Sequence, residues 1–153
     1  MRVEKPSLKK PSFRSAFKYR RCIIPASGFY EWKTQNRIKQ PWFINFKSGD
    51  PLAFAGLWET WKSVDGEIVE SCCIITTAAN SLMEPLHDRM PVILNPDQWD
   101  DWLSPKERQA DKLLSMIRPY NSDAMQAWPV SCEINRVGIR NDAGLIEPIL
   151  NID

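Results

Sequence analysis

The sequence predicts an α+β fold in which strands dominate and a few helices are appended. Three observations carry that expectation. Short runs rich in Ile, Val, Phe, Tyr and Trp recur between clusters of Pro, Gly, Asp and Ser, the texture of strands joined by turns. Two stretches, beginning at Asn95 and Ser104, place a capping residue directly before a proline, which marks a helix start. The Cys72-Cys73-Ile74-Ile75 run is unbroken by polar residues and reads as the centre of a strand buried on both faces.

Taken in order, residues 1–19 carry Pro6, Pro11 and three serines and read as an irregular basic segment with one short helix around 13–17. Strands are predicted at 22–24 and 28–33, with the polar stretch 34–40 as a hairpin-like connection. Further strands follow at 42–46 and 52–58, separated by the turn Ser48-Gly49-Asp50-Pro51. Val64-Asp65-Gly66-Glu67 is a tight turn leading into a strand at 70–77. Asn95-Pro96-Asp97-Gln98 combines an N-cap, a proline at the first helical position and a capping-box glutamine, after which Trp99, Trp102 and Leu103 recur at helical spacing. Ser104-Pro105-Lys106-Glu107 repeats the device ahead of Ala110, Leu113, Leu114 and Ile117, one apolar face of a second helix. The tail returns to strand-like segments around 128–130 and 145–150.

The chain has 153 residues, enough for one domain with a core. No apolar run could span a bilayer and the start lacks a signal-peptide core, so a cytoplasmic protein is expected, with no membrane partner. The four cysteines, Cys22, Cys72, Cys73 and Cys132, match no zinc spacing, and one histidine cannot help build a tetrahedral site, so no metal and no cofactor are expected. All four are expected to be reduced core or near-core residues. The net charge is +1 but uneven: residues 1–21 carry +7 and the remainder −6. Such a basic segment suits a polyanion, nucleic acid being the usual one, or else forms a solvated arm.

Chemistry points to two residues. His87 is the only histidine, and imidazole is the side chain that titrates nearest neutral pH. It stands in Leu86-His87-Asp88-Arg89-Met90-Pro91, where the competing reading is an Asp–Arg turn merely capped by the ring. Glu31 lies among Phe29, Tyr30 and Trp32; apolar surroundings would raise its pKa and favour acid/base use. The competing reading is a strand glutamate facing water. Of the seven tryptophans, most are expected in the core, Trp42 and Trp58 in strands and Trp99 and Trp102 on a helix, while Trp32 is expected to touch a ligand.

The motifs resemble those of a known family. Arg20-Arg21-Cys22-Ile23-Ile24-Pro25-Ala26-Ser27-Gly28-Phe29-Tyr30-Glu31-Trp32 is similar to the glycine–aromatic–glutamate–tryptophan motif of the SRAP proteins, the SOS-response-associated peptidase or abasic-site-processing family. Phe54-Ala55-Gly56-Leu57-Trp58-Glu59 resembles a second block. Ile74-Ile75-Thr76-Thr77-Ala78-Ala79-Asn80, running through Met83 to His87-Asp88-Arg89-Met90-Pro91, resembles a third, and Arg140-Asn141-Asp142 with Ile146-Glu147-Pro148 resembles the C-terminal close.

The resemblance implies a β-rich fold of mostly antiparallel strands that binds single-stranded DNA and captures abasic sites. In the family an N-terminal cysteine closes a thiazolidine with the sugar aldehyde, a covalent protein–DNA linkage accompanied by self-processing peptidase and lyase-like activity. By motif match Glu31 and His87 are the catalytic residues, and Arg2, Trp32, Thr76 and Arg89 line the DNA channel. The chain opens on Met1-Arg2 instead of a Met-Cys start, so a single SRAP-like domain over 1–153 lacking its N-terminal strands and nucleophile is expected, with self-association or poor stability from the exposed edges. Three functions stay open: capture of the aldehyde through the α-amine of Met1, non-catalytic binding of single-stranded DNA, and an inert fragment. A general cysteine-peptidase role ranks lower, because no cysteine has a histidine near it in sequence.

Overall fold

The computed structural model describes residues 11–35, 37–106, 110–138 and 142–149. It is a mixed fold of short helices and mostly antiparallel strands, as the sequence predicts. The chain divides into two compact units, Met1–Pro25 with Ala53–Ala78 and Met90–Tyr120, and Ala26–Leu52 with Ala79–Arg89 and Asn121–Asp153.

The first unit is built around a three-stranded sheet in the order β1 (Arg21–Ala26), β4 (Leu52–Lys62) and β5 (Ile68–Ile74). Helix α1 (Pro11–Tyr19) precedes β1; α2 (Trp99–Leu103) and α3 (Ala110–Ser115) follow later in the chain. Phe17, Ala55, Leu57, Ile75, Val92, Trp102 and Leu113 form its core. Arg21 ties the helix ends to this core. Its guanidinium donates to the carbonyls of Phe17 (2.7 Å), Lys18 (2.8 Å), Trp102 (2.6 Å) and Ser104 (2.6 Å), oxygens that helix termini would otherwise leave unsatisfied. The predicted start of α2 is present: a 3-10 turn, Pro96–Gln98, leads into it, and Gln98 Oε1 accepts from the Asn95 backbone N–H at 2.9 Å. Of the second helix only Ala110–Ser115 is helical among the described residues, and its buried positions are Leu113 and, just beyond it, Met116, whereas Ala110 and Leu114 are exposed.

Two expectations fail in this unit. The strand predicted at 70–77 is interrupted at Ile75, separating β5 from β6 (Thr76–Ala78), which pairs with β7 (Arg89–Pro91). Nor is its centre buried on both faces: β5 is an edge strand, Cys72 is exposed and Cys73 half-buried, and Ile75 alone of the four is in the core. An edge strand has no neighbour on one side to cover its side chains, so an apolar run is no guarantee of burial. All four cysteines are free thiols, but Cys132, like Cys72, is exposed.

The second unit contains a sheet in the order β2 (Phe29–Gln35), β3 (Ile38–Phe46) and β8 (Met125–Pro129), antiparallel throughout, with Glu31 opposite Trp42 and Phe43 opposite Trp128. The polar stretch 34–40 is largely ladder instead of connection: Thr34 pairs with Lys39 and Gln35 with Ile38, and Arg37 turns the chain at φ 67°. Backbone pairing holds that hairpin tip together with Ile38 as its one apolar side chain, itself exposed, so a hydrophobicity pattern does not show it. Of the two tail segments, 128–129 lies in β8, whereas 145–150 is not a strand among its described residues: Ala143–Ile146 is a 3-10 turn, and an isolated bridge joins Val130 to Pro148. Among the tryptophans only Trp102 is fully buried; Trp58 and Trp99 are each 39% exposed, which corrects their expected place in the core. No helix among the described residues is long and apolar enough to cross a membrane.

Candidate functional site

Everything in the candidate site belongs to the second unit. Its floor begins at Gly28, where β2 joins the sheet. A Cβ there would lie 2.2 Å from Phe43 Cζ and 2.7 Å from the Ile44 carbonyl oxygen, so only glycine allows β2 to approach β3 this closely. From that start, side chains alternate. Glu31 shares a face with its partner Trp42, and Trp32 takes the opposite face with its partner Pro41. On the Trp32 face an aromatic series crosses all three strands: Trp32 to Tyr30 at 6.4 Å between centroids, Tyr30 to Phe43 at 5.3 Å and Phe43 to Trp128 at 5.4 Å.

The histidine arrives on a stapled turn. Asn80 is buried, its side-chain oxygen accepts from the Met83 N–H at 3.0 Å, and its backbone carbonyl accepts from Glu84 at 2.9 Å. Met83 is wholly buried, and its carbonyl accepts from Leu86 (2.8 Å) and His87 (2.9 Å). Ala79 N–H then closes the segment on the Asp88 carbonyl at 3.1 Å. The ring is oriented by its own neighbour: the Arg89 backbone N–H donates to His87 Nδ1 at 2.9 Å. Asp88 Oδ1 lies 3.2 Å from the same nitrogen but is exposed, and one nitrogen cannot both accept from an amide and donate to a carboxylate. The shorter backbone bond uses Nδ1 as an acceptor, which leaves Nε2 as the nitrogen for any further partner.

Glu31, Trp32, Lys39, His87, Ile134 and Asn135 line one open cleft of about 660 Å³. Burial pushes the Glu31 carboxyl above the ordinary carboxylate value; positive charge at His87 and the backbone N–H of Trp32 oppose this in part, and Asp88 adds to it. A carboxyl that holds its proton longer than usual, next to an imidazole, is a pair able to hand protons in either direction. Trp32 is 39% exposed, and its only polar atom, Nε1, donates to Asn135 Oδ1 at 2.6 Å. Asn135 Nδ2 in turn donates to the Lys39 carbonyl at 3.1 Å.

The structure therefore brings Glu31, His87 and Trp32 together. Thr76, which opens β6 in the first unit, and Arg89, the half-buried first residue of β7, are not among the cleft-lining residues. Arg2, like Arg140 and Asn141, lies outside the described residues. Sequence reasoning did not find Lys39, Ile134 or Asn135. Lys39 has a signal in retrospect, because strand parity places it on the face of Trp32. Among the described residues no group of three His, Cys, Asp or Glu side chains could hold a metal ion.

With that geometry in place, comparison with known proteins is decisive. The family model described as SOS response associated peptidase (SRAP) matches residues 1–137. The chain belongs to the SRAP family. The match spans the whole Glu31/His87 cleft, Asn135 included. Among relatives of this SRAP chain, the abasic site processing protein YoqW of Bacillus subtilis (strain 168) is 48% identical over 127 residues, covering 82% of this chain and 57% of YoqW. The abasic site processing protein HMCES of Xenopus tropicalis is 34% identical over 140 residues, covering 79% of this chain and 41% of its own. The SRAP chain thus spans about half the length of the curated relatives it matches. A crystal structure of a Bacteroides thetaiotaomicron protein superposes with a TM-score of 0.85 at 30% identity, covering 94% of this chain and 62% of that one. A second, from Bordetella bronchiseptica, gives a TM-score of 0.73 at 29% identity, covering 82% and 62%.

Proposed function

We infer that this SRAP chain acts in abasic-site processing, binding single-stranded DNA that contains an abasic sugar and supplying the proton transfers of its capture. The observation that carries this reading is the pairing of Glu31, its carboxyl pushed up by burial, with His87 in one open cleft. Its relatives carry the name abasic site processing protein.

An abasic sugar interconverts between a closed ring and an open-chain aldehyde. Amine attack on that aldehyde gives a carbinolamine, and loss of water from it needs a proton delivered to the departing hydroxyl. Protonated Glu31 is suited to that delivery. His87, with Nδ1 engaged by the Arg89 amide, presents Nε2 for the proton exchange that opens the sugar ring. Trp32 offers a flat, half-open face on which an unpaired base can stack. In this reading a terminal cysteine, where a SRAP protein carries one, would close the thiazolidine and perform the self-processing peptidase step. A free amine would instead give a reversible imine with lyase-like outcome. Arg2, Thr76 and Arg89 are proposed as further DNA contacts on the strength of motif matches alone.

The test is a denaturing gel of this chain with single-stranded DNA carrying one abasic site, run with and without borohydride. A heat-stable adduct without reductant indicates thiazolidine-like capture, and an adduct only with reductant indicates a transient imine. If neither lane shows an adduct, the enzymatic reading is wrong. Binding that weakens steeply with salt would then leave a non-catalytic DNA-binding module, and salt-insensitive affinity would exclude that as well.

A further inference from the structure

Trp32 is held in place by a residue that no motif marks. An exposed tryptophan on an edge strand has freedom about both side-chain torsions, and a base stacking on it must first order the ring. Here the ring is already ordered. Asn135 Oδ1 accepts from Nε1 at 2.6 Å, and the Asn135 amide is itself fixed by donating to the Lys39 carbonyl at 3.1 Å. These two bonds require the oxygen toward the indole and the nitrogen toward β3, so only one orientation of the amide satisfies both. Asn135 ends a 3-10 turn, Cys132–Asn135, whose start is capped by the Ser131 side chain accepting from the Glu133 N–H at 3.2 Å. The chain thus spends a capped turn, a side-chain amide and a β3 carbonyl on the rotamer of one exposed ring.

We propose that Asn135 is a positioning residue that pre-orders Trp32 as the stacking platform of the cleft. It touches no reacting atom; it acts through Trp32 by removing the ordering cost from DNA binding. This rests on the reading of the cleft as a site for single-stranded DNA with abasic sugars. A purely structural Asn135, which only tethered residues 131–135 to β3, would affect folding and leave the stacking energy untouched. The two roles make different predictions in a double-mutant cycle.

The experiment uses the full chain, a fluorescent single-stranded oligonucleotide carrying the non-reactive tetrahydrofuran analogue of an abasic site, and the variants Asn135→Ala, Trp32→Phe and the pair. Trp32→Phe keeps a stacking ring but deletes the N–H. Asn135→Ala is expected to weaken binding about three- to tenfold, the cost of ordering one side chain. In the Trp32→Phe background the same substitution is expected to change affinity by less than about twofold. The indole N–H resonance of Trp32, identified by its absence from the spectrum of Trp32→Phe, is expected to shift and to exchange faster with solvent in Asn135→Ala. Equal weakening by Asn135→Ala in both backgrounds, or an unmoved indole resonance, would overturn the positioning role. Failure of the unsubstituted chain to bind the oligonucleotide at all would overturn the functional reading instead, and with it any platform role.

Discussion

Glu31 and Trp32 are consecutive residues that point to opposite faces of one strand, yet both line the same cleft. That is possible because β2 is the edge of its sheet, with β3 on one side only. The open side lets a cleft reach both faces of the strand, so an acid/base carboxyl and a stacking ring can come from neighbouring positions. A central strand would separate the two by the thickness of the sheet. The arrangement also fixes the register tightly, since a slip of one residue would exchange the two side chains.

The raised pKa of Glu31 has a consequence for stability that can be measured without DNA. Burial lifts it above the ordinary 4.5, so the folded state binds the proton more tightly than the unfolded chain does. Stability therefore falls as pH rises from 4.5 through the folded-state value, and the deficit persists above it. Glu31→Gln removes the charge and keeps the shape. Its melting temperature should equal or exceed that of the unsubstituted chain at about pH 7.5, with the gap closing near pH 4. Adduct formation with abasic DNA should meanwhile drop about 100-fold. A variant that melts lower at neutral pH would show that the carboxylate is stabilised by partners stronger than its burial cost.

Gly28 tests whether the site depends on the close approach of β2 to β3. A methyl group placed there meets a side-chain ring and a backbone oxygen at once, and only the ring could move aside. Gly28→Ala should destabilise the chain by about 2 kcal/mol in a urea titration, the usual scale of overpacking. A change below about 0.5 kcal/mol would mean that the strand shifts without cost.

Much of the fold was legible because its signals are local. Gly66 takes φ 85° in the turn that the Asp65-Gly66 pair announces, and the Asn95–Gln98 device starts a helix where its chemistry requires one. What escaped depends on which strands have neighbours. Cys72 on the edge strand β5 is paired with Trp58 on the central strand β4, and both are exposed, which no pattern within either segment records. The candidate site divides the same way. Glu31 and His87 stand in recognisable motifs, whereas Asn135 reaches Trp32 across 103 residues of sequence through a single hydrogen bond. An asparagine in a turn is so common that its identity carries no message until the ring beside it is known.

Arg21 stands in the family-like motif but performs no chemistry; it is buried, 7% exposed, and its bonds go to four backbone carbonyls. Arg21→Ala would strip those oxygens of their donor at the ends of α1 and α2. The expected loss is about 3 kcal/mol in chemical denaturation, from unsatisfied polar groups and lost packing together. Arg21→Lys should recover only part of it, because a single ammonium cannot reach carbonyls that a planar fork spans. Full recovery by lysine would reduce Arg21 to a buried charge without directional value.

Lys39 lies on the Trp32 face of β3 and lines the cleft, where a phosphate flanking a stacked nucleotide would need a cation. If it makes that contact, binding of single-stranded DNA should release about one counterion fewer in its absence. Lys39→Gln is then expected to weaken affinity for every sequence alike and to flatten the slope of log affinity against log salt by about 0.7, the value for one phosphate on a single strand. Because its backbone carbonyl, and not its side chain, holds Asn135, the substitution should leave the Trp32 indole resonance in place. A flattened slope with an unmoved resonance assigns the lysine to phosphate. An unchanged slope would leave Lys39 a solvated strand residue, and the phosphate contacts would have to come from other basic side chains.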